Sequence, residues 1–161
     1  MLGAGNMFFN GNPVEIDQIV RTGGIVETGP RKNEPKIVPV LLVDDHAMLR
    51  RELRTVLDSY DDLLVVGEGR DGVEAVRLVD ELGPHVVVMD INMPRMGGVE
   101  ATAHIKFHQP YIAVVGISID ASDENSAAMK KAGATTVVPK AAAIEKLHDA
   151  IVEAITKRPP P

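Results

Sequence analysis

Across residues 38–155, short apolar runs alternate with amphipathic stretches. The runs at 40–43, 63–67, 85–89, 112–118 and 135–138 are rich in β-branched residues and apolar at successive positions, which predicts strands buried on both faces. The stretches between them carry helical spacing. Leu49, Leu53, Val56 and Leu57 stand at offsets 0, 4, 7 and 8, and Ile144, Leu147, Ile151 and Ile155 at 0, 3, 7 and 11. Gly and Pro fall at the joints, with Asp71-Gly72 before the second helix, Gly83-Pro84 before the third strand and Gly133 after the fourth helix. Five strands in strict alternation with five helices predict an α/β domain built on a doubly wound parallel sheet.

The ends of the chain do not follow this pattern. Residues 1–36 read as an N-terminal extension, in which Val14 and Ile16 are spaced as in a strand but Ile16, Ile19 and Val20 as on a helical turn. Residues 37–156 form the expected domain, and residues 157–161, closing on Pro159, Pro160 and Pro161, read as a linker stub.

Composition narrows the class. The 161 residues hold 17 Lys and Arg against 23 Asp and Glu, a formal charge of −6, which makes the chain a poor general binder of nucleic acid or anionic membrane. No Cys is present, so disulfides, thiolate metal sites and cysteine nucleophiles are excluded. The apolar runs fall far short of the roughly 18 residues a membrane helix requires. No basic residue precedes Arg21, so no secretory signal is expected and a cytoplasmic address is.

Ligands of open α/β sheets bind beyond the carboxyl ends of the strands, and here those ends are polar. The first strand runs into Asp44-Asp45, the third into Asp90, the fourth into Ser118 and the fifth into Lys140. Three carboxylates sharing one crevice repel one another, and a raised pKa or a bound cation is the usual resolution. An oxygen-only donor set, with no His or Cys among the ligands, points to a hard divalent ion, and Mg²⁺ fits best because it accepts a few carboxylates and completes its shell with waters and phosphate. Lys140 can neutralise phosphoryl oxygens, Ser118 can donate to one, and Asp90 can serve as the nucleophile.

The segments Leu41-Leu42-Val43-Asp44-Asp45-His46, Val87-Val88-Met89-Asp90-Ile91-Asn92-Met93-Pro94, Gly116-Ile117-Ser118 and Pro139-Lys140 resemble, in order and spacing, the receiver domain of two-component response regulators. Val65-Val66-Gly67-Glu68 and Asp71-Gly72-Val73-Glu74-Ala75 bring the likeness nearest to the NarL/FixJ (LuxR-type) subfamily. The resemblance implies a flavodoxin-like sheet of order 2-1-3-4-5. It also implies Asp90 as phosphoacceptor, Asp44, Asp45 and Asp90 with the backbone carbonyl of Asn92 as ligands of Mg²⁺, Ser118 as switch hydroxyl and Lys140 as phosphate-binding lysine. A sensor histidine kinase or phosphotransfer protein would be the donor and a downstream protein the target, with a homodimer as a further expectation. The usual helix-turn-helix output needs at least some 20 more residues, and six follow Ile155, so no direct nucleic-acid binding by this chain is expected.

Two positions depart from the family pattern: Val137 stands where an aromatic switch residue is usual, and Pro139 precedes Lys140 where a proline commonly follows. These departures define one alternative, a pseudo-receiver that binds without being phosphorylated. The other is a haloacid dehalogenase-type phosphatase, which would require an acidic residue at position 92, occupied here by Asn. The expected activity is therefore self-phosphorylation and autodephosphorylation, not turnover. His46 and the basic turn of Arg50, Arg51 and Arg54 read as a helix-start residue outside the chemistry and a solvated or docking face.

Overall fold

The computed structural model describes residues 7–9, 12–14, 36–120 and 122–161. The chain divides into two units, Met1–Glu34 and Pro35–Pro161. In the first, strands β1 (Met7–Phe9) and β2 (Asn12–Val14) pair antiparallel with Met7 opposite Val14. The ambiguous positions Ile16, Ile19 and Val20 lie outside the described residues.

In the second unit, five strands and five helices follow in alternation: β3 (Val38–Val43), α1 (Ala47–Asp58), β4 (Leu63–Gly69), α2 (Gly72–Leu82), β5 (Val86–Asp90), α3 (Gly98–His108), β6 (Ala113–Ser118), α4 (Asp123–Ala132), β7 (Thr136–Pro139) and α5 (Ala143–Lys157). A 3₁₀ turn, Lys140–Ala142, leads into α5. The strands form one parallel sheet of order β4-β3-β5-β6-β7, which is 2-1-3-4-5 when the five are counted alone, as the resemblance implies.

Alternation along each strand divides the core in two. Val40, Leu42, Val86, Val88, Val115 and Ile117 pack under α1 and α5, against Leu53, Leu57, Leu147 and Ile151. Leu41, Val43, Val87, Met89 and Val114 face α2, α3 and α4, meeting Val79, Ile105 and Met129. Both faces of the central strands are covered, which is why β5 is buried at all five positions and reads as an apolar run up to its last residue, Asp90. Pro139 ends β7 at the sheet edge, where a missing ladder donor is tolerated.

Helix ends are set locally. Asp71 caps α2 by accepting from the Glu74 N–H at 2.9 Å, Ser122 caps α4 through Asn125, and Gly83 (φ +56°) and Gly133 (φ +116°) close α2 and α4 in the left-handed conformation. Among the described residues no helix is long and apolar enough to cross a membrane.

Candidate functional site: an acid pocket with one lysine

The strand order reverses at β3, whose neighbours β4 and β5 lead the chain to opposite halves of the sheet, so the carboxyl ends of β3 and β5 open a crevice. Asp44 follows β3 directly, and its N–H donates to the Gly69 carbonyl at 3.0 Å, which holds it level with the end of β4. Asp90 is the last residue of β5. Both carboxylates are buried, at 0 % and 2 % exposure, while Asp45 stands at the rim. Lys140 enters from the 3₁₀ turn after β7 with its side chain only 7 % exposed. Its Nζ lies 2.9 Å from Asp44 Oδ2 and 2.9 Å from Asp90 Oδ2.

One ammonium therefore faces three carboxylates, and the balance is visible in the protonation equilibria. Burial, assisted by the Asp44 charge and Asp45, pushes the Asp90 carboxyl up to about 6, although the hydrogen bond and charge of Lys140 pull the other way. Burial pushes the Lys140 ammonium down, but its contacts with Asp44 and Asp90 outweigh that and hold it above the ordinary lysine value. The contact with Asp90 has hydrogen-bond geometry, whereas Asp44 Oδ2 is left without a hydrogen-bond partner. That oxygen is held by the Lys140 charge alone, without a directed hydrogen bond, so a second cation at the site would be favourable.

Ligand atoms of Asp44, Asp45, His46 and Asp90 all lie within 4.8 Å of one another. This oxygen-dominated set suits a hard divalent cation, as the sequence reading expects for Mg²⁺. Asn92 sits two residues beyond Asp90, and its N–H reaches Asp90 Oδ1 at 3.4 Å. Ser118 is buried at the end of β6, but its hydroxyl donates to the Asp120 carbonyl at 2.6 Å, and no hydrogen bond among the described residues joins it to the acid group. Val137 packs with the core beneath α4, its methyl close to Gly116, so no ring occupies that place.

Two side chains that the sequence reading sets outside the chemistry touch the acid group, and a third, further off, goes unremarked in it. His46 is not apart from the acids: its Nδ1 lies 3.1 Å from both Asp44 Oδ1 and Asp45 Oδ1, and 3.2 Å from Lys140 Nζ. Arg50 does not simply face solvent, because Nη1 donates to the Asp44 carbonyl at 2.6 Å while Nε pairs with Glu68. Adjacency to Asp44-Asp45 was the one signal for both. The third is Arg95, whose guanidinium reaches across to Asp71, 24 residues away in sequence.

The response regulator receiver domain family matches residues 40–152. The chain is 36% identical to the response regulator GacA of Pseudomonas aeruginosa over 115 residues, 71% of this chain and 54% of that protein. It is 39% identical to the transcriptional regulatory protein LiaR of Bacillus subtilis over 117 residues, again 71% of this chain and 54% of that protein. The chain thus spans about half the length of these curated relatives. Among solved structures, the response regulator domain of Thermotoga maritima CheB superposes with a TM-score of 0.71 at 30% identity, covering 76% of this chain and 99% of that one. A LuxR-family two-component response regulator from Aurantimonas sp. SI85-9A1 gives a TM-score of 0.72 at 31% identity, covering 76% and 87%.

Proposed function

Since the chain belongs to the response regulator receiver family, we propose that it is a phosphorylatable switch of a two-component phosphorelay, accepting a phosphoryl group on Asp90. The observation that carries this reading is the single Lys140 Nζ held 2.9 Å from both Asp44 Oδ2 and Asp90 Oδ2, one ammonium shared by two buried carboxylates. A structural ion pair would need one acid for one base. Here excess negative charge is gathered at the crevice, an arrangement suited to a cation and a phosphoryl group.

The Mg²⁺ ligands would be Asp44, Asp45, Asp90 and the Asn92 carbonyl, and the bound ion would draw charge from the phosphoryl oxygens and from the crowded acids. Above a pH of about 6 Asp90 is ionised, and one of its oxygens attacks phosphorus as the bond to the donor breaks. Lys140, already charged and buried, turns from the carboxylates to a phosphoryl oxygen without changing protonation. Ser118 exchanges its bond to the Asp120 carbonyl for one to the phosphoryl group, drawing in the segment after β6. With Val137 in place of a ring, that movement is passed on by repacking small side chains.

The donor in this reading is a sensor histidine kinase or phosphotransfer protein. The output is altered binding to a downstream protein, or to a second copy of the chain, in transcriptional control of the kind the name of its relative LiaR describes.

Incubation with Mg²⁺ and acetyl phosphate should add one phosphoryl group to the intact mass, and EDTA should abolish it. Addition that ignores EDTA would contradict the Mg²⁺ requirement, and none by a folded protein would favour the phosphorylation-independent alternative. Mg²⁺ alone is expected to stabilise the fold by about 2.7 kcal/mol at a hundredfold excess over its Kd, read as a rise in Tm.

A further inference from the structure

The loop between β5 and α3, residues 91–97, is held from outside the acid pocket. Asp71, the buried N-cap of α2, divides its carboxylate: Oδ1 accepts from the Glu74 N–H at 2.9 Å, and Oδ2 accepts from Arg95 Nε at 2.7 Å with Nη2 beside it. Burial pushes the Asp71 carboxyl up, but the Glu74 N–H and the Arg95 guanidinium outweigh it and keep it below the ordinary aspartate value.

Arg95 has φ +64°, the only positive φ outside glycine among the described residues. The left-handed region strains an L side chain, and glycine would relieve it. One residue on, the Met96 carbonyl accepts from the Gly72 N–H at 2.9 Å, so close that a Cβ at Gly72 would lie 2.6 Å from that oxygen. The loop is closed at its base by the Gly98 N–H, which donates to the Ile91 carbonyl at 2.8 Å. The Arg95 side chain is 58 % exposed, so this ion pair is half in water and contributes little to global stability. A strained arginine kept on a buried carboxylate for so little stability points to a geometric role.

We propose that the Asp71–Arg95 pair is a positioning latch, fixing the loop so that Asn92 presents its backbone carbonyl to the divalent cation. The proposal rests on the reading of the acid pocket as a Mg²⁺ site. It assigns a role to α2, which contributes no ligand: its N-terminus sets the geometry of the metal loop through one carboxylate and one N–H.

The latch has a signature that charge alone does not produce. Removing a cationic side chain, at any distance, would tighten binding of another cation. Loss of geometry weakens it, and partners behind a metal ligand typically account for 10–100-fold in affinity. The test is Mg²⁺ titration of the whole chain followed by ¹H–¹⁵N NMR shifts, for wild type, Arg95→Gly, Arg95→Lys and Asp71→Asn/Arg95→Gly, each with a urea unfolding curve.

Arg95→Gly is expected to bind Mg²⁺ about tenfold more weakly, with an unchanged or higher urea midpoint because glycine accepts the backbone. Arg95→Lys should recover part of the affinity, and adding Asp71→Asn should weaken Arg95→Gly no further. Arg95→Gly that binds as tightly as wild type, or more tightly, overturns the latch while leaving the metal site standing. A folded wild type that does not bind Mg²⁺ overturns the metal reading itself, and the latch with it.

Discussion

Gly98→Ala is expected to destabilise the receiver domain by about 3 kcal/mol, the upper end of what overpacking costs. A Cβ at position 98 would fall on the Asp90 carbonyl oxygen, with the Asp90 carbonyl carbon at 2.9 Å and Ile91 Cα at 3.0 Å. All three are backbone atoms at the end of a central strand and cannot swing aside as a side-chain tip would. The Gly98 N–H is meanwhile bonded to the Ile91 carbonyl, so α3 cannot retreat without losing its first contact with the loop. Relief must come from moving Asp90, which couples the loss of stability to the site. Gly83→Ala is the control, because nothing lies within 4 Å of a Cβ there and only its φ of +56° opposes the change, at about 1 kcal/mol. Urea unfolding of the two variants by circular dichroism checks the contrast, and equal losses would contradict it.

Asp90→Asn is expected to make the Mg²⁺-free domain more stable at pH 8, by up to about 3 kcal/mol, since each tenfold difference in proton affinity between the folded and unfolded chain is worth about 1.4 kcal/mol. The Asp90 carboxyl titrates near 6 in the folded chain against an ordinary 3.8. The folded state therefore holds the proton more tightly than the unfolded one. Its contribution to stability is fully present below about 3.8 and lost as the pH rises through about 6. Asn keeps the shape and never acquires the charge. The stability gap between Asp90→Asn and wild type should be near zero at pH 4 and widen to its full value above pH 7, less whatever Lys140 loses with its partner. Asp71, lowered instead of raised, loses stability as the pH falls, but it does so in both proteins and cancels. Mg²⁺ should narrow the gap by stabilising only the wild-type acid set. A gap that does not change with pH would contradict the crowding account.

Much of this was legible because the sheet is parallel and doubly covered. Strands apolar on both faces announce themselves as runs, and the core of the runs at 40–43, 85–89 and 112–118 recurs in β3, β5 and β6. Their limits were less clear, for local reasons. β4 continues to Gly69 through Glu68, a polar residue beyond the apolar run, with which Arg50 and Arg54 pair. β3 begins at Val38 and includes Pro39, which breaks the apolar pattern but precedes the pairing with β5 at Val40. The hairpin of β1 and β2 had no periodicity to reveal it.

The placing of Asp44, Asp45, Asp90 and Lys140 at one crevice could be read in advance because each ends or directly follows a strand run, and all five strands of the main sheet point the same way. Ser118 also ends a strand, yet its hydroxyl is turned to Asp120, a choice made by loop geometry that no spacing encodes. His46, Arg50 and Arg95 contribute through the reach of long side chains across elements, and such pairings leave no periodic trace in the sequence.

The central claim, that Asp90 receives the phosphoryl group, is tested most directly by intact-mass spectrometry of wild type and Asp90→Asn side by side after exposure to acetyl phosphate and Mg²⁺. The account predicts a single phosphoryl adduct on wild type and none on Asp90→Asn, the variant being folded and at least as stable. An equal adduct on Asp90→Asn would place the acceptor elsewhere and contradict it.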